Sequence, residues 1–308
     1  MSPRYPRICL PFLVETEDEE IVILRDSVSI TFYVDHNHSE IAQAVKKSLS
    51  RYEAAVGPES LASYVDDDGD WRELDAKGRA FVQAEFEAPL GARIKLSDGS
   101  TLLSHSFSYR GESPIESWGE SEQHRPISSV EFYLPTEYLL EHGAGRVRDL
   151  SMELGAELPF VSGHAGLSFH MAAWMRDNTP VVRDLSQRHP GFDLPGMDEL
   201  RRVMGSRTRG ASWLTFLGQP ILGGLGGVAG LRAQLKSPGT TVQEMSGDRA
   251  VVSLGEWPEA GDLETGDTLP HYRELARVLE PWMYTHGDAY WGNLTPEEIH
   301  RWERRFLD

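Results

Sequence analysis

The string HGDAYWGNL, His286 to Leu294, sets Asp288 and Asn293 at a separation used in phosphoryl transfer. In that chemistry the aspartate positions an acceptor hydroxyl and the asparagine holds magnesium. The same chemistry needs a second metal-binding aspartate beyond the asparagine, and a glycine-rich strand pair with a lysine upstream. Neither is found in the expected order, and the segment after Asn293 reads as one helix. Thr295 and Glu298 make a capping box, Pro296 takes the first helical position, and Ile299, Trp302 and Phe306 form an apolar face. The loop is expected to be structural, with a small-molecule phosphotransferase as the alternative reading.

Other candidate chemistry is incomplete in the same way. His36 and His38 form an H-x-H pair without a third ligand. Asp66, Asp67, Asp68, Gly69 and Asp70 open like a calcium loop, but Trp71 stands where glycine is needed and Lys77 where a bidentate glutamate belongs. An exposed acidic turn is expected instead. Gly224, Gly226 and Ala229 match G-x-G-x-x-A, with Glu244 further on, yet Gly218 and Pro220 interrupt the approach and Val242–Met245 reads as a hairpin arm. His164, in a glycine-rich block with no nucleophile signature, and the turn of His189, Pro190, Gly191 and Asp193 both read as structural. The one cysteine, Cys9, permits neither an intrachain disulfide nor a thiolate-rich metal site, and is expected to pack as a small hydrophobe. No catalytic residue, cofactor or metal is expected.

The elements that would position these residues follow from periodicity. A hairpin is expected from Ile21–Leu24 and Val28–Val34, linked through Arg25 and Asp26, then a helix capped by Ser39 and stopped at Gly57 and Pro58. Phe81–Glu87 alternates like a strand. Ile94, Leu96, Asp98, Gly99 and Leu102 outline a hairpin around an Asp-Gly turn. Arg110–Arg125 is polar and turn-rich and reads as a linker, dividing residues 1–125 from 126–308 within one compact unit. Ser129–Leu134 then echoes Ser29–Val34, and each is followed by a capped helix, which suggests two similar halves; Thr136 is the cap of the second. Leu167, Phe169 and Met171 alternate as a buried strand, Val242–Met245 and Ala250–Leu254 form a strand pair, and Tyr272, Leu275, Ala276 and Leu279 make a helix face. The glycines from Gly223 to Gly230 are expected to let a helix or turn pack closely beside Trp213 and Phe216. The fold class is α+β, with mixed or antiparallel sheets covered by helices.

Composition narrows the partners. The 308 residues include 30 Lys and Arg against 48 Asp and Glu, a net charge of -18, and 40% are hydrophobic. Such a chain can bury a sizeable core. Its charge disfavours nucleic acid and an anionic membrane surface and suits a basic partner. The apolar stretch Ile8–Val14 is broken by Pro11 and followed by acidic residues, so it reads as mature protein rather than a signal peptide. With no long apolar run, a cytoplasmic location is expected.

LPF-x-SG-x-AGLSF within Leu158–Phe169, HPG-x-D at His189–Asp193, WLTFLG at Trp213–Gly218, Gly223-Gly224 before an apolar helix, and a late Gly-Asp followed by Y-x-x-LA occur in an order that resembles the DUF3396, or type VI immunity, family. The match covers roughly residues 125 to 285. The HGDAYWGN loop is locally similar to aminoglycoside-phosphotransferase-like kinases. The immunity resemblance implies a protein without catalysis that binds and neutralises a cognate type VI secretion toxin by occluding its active site. A nuclease toxin, with a basic cleft, would suit the acidic surface. The candidate contacts are two acidic clusters: Glu15, Glu17, Asp18, Glu19 and Glu20, and Asp66, Asp67, Asp68 and Asp70.

Overall fold

The computed structural model describes residues 5–14, 19–100, 102, 104–113, 126–171, 180–284 and 294–308. Among them one sheet joins β1 (Cys9–Val14), β2 (Glu19–Val34), β3 (Ser63–Val65), β4 (Trp71–Glu73), β5 (Ala92–Ser97), β6 (Ser106–Gly111), β7 (Ser128–Pro135), β8 (Ser162–Met171), β9 (Leu214–Leu217), β10 (Thr240–Met245) and β11 (Arg249–Leu254). The spatial order is β10, β11, β9, β8, β2, β7, β6, β5, β3, β4, with β1 paired to the start of β2. Every pairing between these strands is antiparallel. The fold is α+β, as the sequence indicated, in one antiparallel sheet.

Alternation along β2 gives the sheet two unlike faces. Phe32 packs on Phe160 and Phe216, with ring centroids 5.5 and 5.0 Å away. Thr31 and Tyr33 point the other way: Thr31 donates to Glu131, and the Tyr33 hydroxyl donates to the Met197 carbonyl at 2.6 Å. The apolar face is covered by α1 (His38–Val56) and α3 (Thr136–Gly155). Tyr52 of α1 reaches through to donate to the Tyr133 carbonyl at 2.5 Å, and its ring meets Phe132. Each such fully buried large side chain contributes about 1.5–3 kcal/mol by leaving water.

The echoing strands are direct neighbours. Ile30 stands opposite Phe132 and Thr31 opposite Glu131, and their following helices α1 and α3 pack together. β2 also pairs with β8, so this strand of the first half is flanked on both sides by strands of the second.

Several elements differ from the sequence expectation. Ile21 to Val34 is one strand without a turn at Arg25 and Asp26, because Asp26 is satisfied in place by the Thr136 hydroxyl at 2.6 Å, the Ile8 amide at 2.8 Å and Arg7 at 3.0 Å. Phe81–Glu87 is helical, within α2 (Ala76–Glu87). Asp75 caps it by accepting from the Gly78 amide at 2.8 Å, and Phe81 and Phe86 both turn inward, onto Tyr64 and Tyr109. Asn37 caps α1 in place of Ser39, with Glu40 completing the box, while Gly57 ends it at φ 98°. Pro135 takes the cap position expected of Thr136, whose hydroxyl serves Asp26. Arg110 and Gly111 finish β6 rather than opening a linker; residues 114–125 lie outside the described residues.

The remaining helices are α4 (Pro180–Arg188), α5 (Arg201–Met204), α6 (Ile221–Gly224), α7 (Gly227–Gln234), α8 (Pro270–Leu279) and α9 (Pro296–Glu303). The glycine cluster forms α6 and α7, but its close approach is to Trp282: a Cβ on Gly224 would lie 1.9 Å from that ring. β9 does enter this region, yet β11 stands between β9 and β10 and is antiparallel to both, so the adjacent parallel strands of a dinucleotide site are not formed. The α8 face and the Thr295–Glu298 capping box of α9 are as expected.

Candidate partner-binding surface

The second acidic cluster lies on the β3–β4 hairpin. Asp66 folds the turn: it accepts from the amides of Asp68 and Asp70 at 3.1 and 2.9 Å and from Arg72 Nε at 2.7 Å. Arg72 first, then the Asp70 amide, holds the Asp66 carboxyl below its usual range. Asp66 thus serves the loop, leaving Asp67, Asp68 and Asp70 exposed around it. β4 is the outermost strand on this side of the sheet; its residues Trp71, Arg72 and Glu73 are exposed, and Trp71 keeps 41% of its surface. The hairpin thus sets an exposed aromatic ring, able to exclude water, beside carboxylates able to steer a partner of opposite charge.

Of the first cluster, Glu15, Glu17 and Asp18 lie outside the described residues. Glu19 and Glu20 begin β2, paired with Val14 and Leu13. The two clusters therefore belong to separate elements. The HGDAYWGN loop, residues 286–293, also lies outside the described residues.

The HPG-x-D block anchors a buried ion network. Gly191 is required by close approach: a Cβ there would sit 1.9 Å from the Glu259 carbonyl oxygen, and its amide donates to Ala260 at 2.7 Å. His189 donates from Nδ1 to the Gly261 carbonyl at 2.7 Å. Asp193, whose backbone bonds Leu167 and Phe169 of β8, accepts on Oδ1 from Arg209 at 2.8 Å and Arg305 at 3.0 Å. Arg305 donates to the Pro190 carbonyl at 2.7 Å and lies over Trp302, 3.8 Å from its centroid, fastening α9 and the chain beyond it to the block. Burial raises the Asp193 carboxyl, and the two guanidiniums oppose that shift. Burial, then Arg209, pulls Arg305 down to about 9, which leaves it charged at neutral pH.

His164 lies inside β8 rather than in a glycine turn. Its Nε2 is 3.7 Å from Asp193 Oδ2, and both side chains are 2% exposed. Burial drives its pKa well below the ordinary imidazole range, with Arg209 and Arg305 adding to the effect. A neutral histidine sealed from solvent has no route to a substrate proton, so this pair supports the fold. His38 is likewise buried, against the Tyr109 hydroxyl at 2.8 Å. Among the described residues no three His, Cys, Asp or Glu are grouped to hold a metal, and no helix is long and apolar enough to cross a membrane.

Sequence reading missed Trp71, Arg209 and Arg305. The arginines had no local signal, because their partner Asp193 is distant in the chain. Trp71 was visible only as a residue that spoils a calcium loop.

A family model described as type VI immunity for VRR-NUC matches residues 44–306. No curated protein matches. Among solved structures, the Pseudomonas aeruginosa T6SS protein PA0821 is similar with a TM-score of 0.78 and 19% identity, over 97% of this chain and 87% of that one. At that identity the likeness shows a shared fold, and the family rests on the model match across most of the sequence. The chain belongs to the family of type VI immunity proteins for VRR-NUC.

Proposed function

We propose that this protein neutralises a cognate type VI toxin of the VRR-NUC class by binding it and occluding its active site. Family membership carries the reading. The hairpin Asp66–Glu73 is the proposed contact, because it projects exposed carboxylates and an exposed Trp71 from an edge strand. A nuclease cleft that grips phosphates is basic, so an acidic protein of net charge -18 is drawn to it and competes with nucleic acid for the same ground. Glu15, Glu17, Asp18, Glu19 and Glu20 belong to the same proposal as contributors to the long-range field. The binding is non-catalytic, takes no cofactor and acts in the cytoplasm, and residues 1–125 and 126–308 work as one unit.

Coexpression with the toxin tests this directly: the cell should survive, the proteins should copurify, and purified complex should lack nuclease activity. A toxin that kills despite this protein, without binding it, would overturn the reading. Neutralising Asp67, Asp68 and Asp70 should slow association about tenfold at low salt, measured by stopped flow. Asp288→Ala should leave binding unchanged and no ATP turnover should be detected before or after the substitution.

A further inference from the structure

The sheet of this strongly acidic protein carries an opposed pair of arginines that have no ion-pair partner among the described residues. β5 and β6 are in antiparallel register, with Arg93 opposite Arg110 and Lys95 opposite Ser108. These residues alternate with Ile94, Leu96, Phe107 and Tyr109, which are buried, so they occupy the polar face. Like charges directly opposed on adjacent strands destabilise the pair. Arg93 is exposed. Arg110 is half-buried, and its Nε is out of solvent with no hydrogen-bond partner. Burial, followed by repulsion from Arg93, lowers the Arg110 pKa, while Asp198 and Glu199 act against that shift and Arg201 adds to it.

Of the carboxylates nearby, two are paired with other arginines and two are held by neutral donors. Glu112 pairs with Arg201, Glu199 with Arg202 at 2.7 Å, Asp198 accepts from the Ser108 hydroxyl at 3.2 Å, and Glu85 accepts from the Arg93 amide at 2.8 Å. Among the described residues neither Arg93 nor Arg110 forms an ion pair. Two guanidiniums on neighbouring strands, held about 5 Å apart at Cβ, can flank one planar anion with charge-assisted hydrogen bonds.

We propose that Arg93 and Arg110 form a receptor for a carboxylate side chain of the toxin, a second contact beside the acidic hairpin. The proposal rests on the immunity reading above. A carboxylate on an otherwise basic protein fits better than a phosphodiester chain, because the net charge of -18 repels a polyanion and leaves a single acidic side chain on a cationic partner free to approach.

The test uses the full-length protein with Arg93→Gln, Arg110→Gln and both, titrated against the toxin by calorimetry, with the melting temperature of each free variant. The double variant should bind about tenfold more weakly while the free protein melts at the same temperature or higher, because repulsion and an unmet donor are removed. The sign is diagnostic: if only long-range attraction acted, losing two positive charges would tighten binding to a basic toxin. Unchanged or tighter binding by a folded double variant overturns the receptor and leaves the immunity reading intact; wild-type protein that fails to bind the toxin overturns both. Should Arg110→Gln unfold the chain, the exposed Arg93→Gln carries the same test, with Arg93→Lys expected to recover part of the affinity.

Discussion

His164 and Asp193 show how much of this protein's stability hangs on single buried groups. The folded-state pKa of His164 is depressed by burial, so below its ordinary value of 6.5 the unfolded chain takes up a proton that the folded chain refuses. Stability is therefore present above about pH 6.5 and lost as the pH falls. His38, also lowered chiefly by burial, adds in the same direction. Urea denaturation should show stability falling from pH 6.5 to pH 5, and His164→Gln should flatten that dependence. Asp193 presents the complementary case. Asp193→Asn leaves Arg209 and Arg305 buried without their shared carboxylate, and a loss of about 3–5 kcal/mol is expected at neutral pH. A loss below 1 kcal/mol would mean that water replaces the carboxylate.

At the scale of elements, glycines divide into those that permit close approach and those that merely loosen a helix. Gly191 allows the HPG turn to lie against Glu259 and Ala260, where no side chain fits. Gly191→Ala should cost more than about 2 kcal/mol, since the clash is with backbone that cannot rotate away. Gly145, exposed in the first turn of α3 that follows the break at Gly143 (φ 81°), has nothing within 4 Å of a would-be Cβ. Gly145→Ala should stabilise the protein by about 0.5–1 kcal/mol through helix propensity. Opposite shifts in urea midpoint would confirm the distinction, and equal shifts would refute it.

For the whole molecule, the sheet has an apolar and a polar face, and both are buried near its centre. One face is closed by α1 and α3 around aromatic packing, and the other is polar, crossed near its centre by Lys95, Ser108, Glu131, Thr31 and His164 in register. The hairpin tip at one edge carries exposed acid. On the proposed reading, in which summed charge draws the partners together, the on-rate for a basic toxin should fall steeply between low and physiological salt, while the off-rate changes little. An on-rate insensitive to salt would place the recognition in short-range packing around Trp71 instead.

Local chemistry alone determined a good part of this. The cap and face of α9, the β10–β11 hairpin, the α8 face and the exposed turn at Asp66–Asp70 all follow from contacts within a few residues, and each was legible in the sequence. The class, α+β, followed from the same patterns. Tertiary structure decided the rest. Phe81–Glu87 has the alternation of a strand but lies in a helix because Tyr64 and Tyr109 receive its rings; Arg25–Asp26 continues a strand because Thr136 and Ile8 satisfy the aspartate. The ion network on Asp193 and the opposed Arg93 and Arg110 join residues by strand order and packing, and no spacing along the chain encodes which distant charge will stand opposite which.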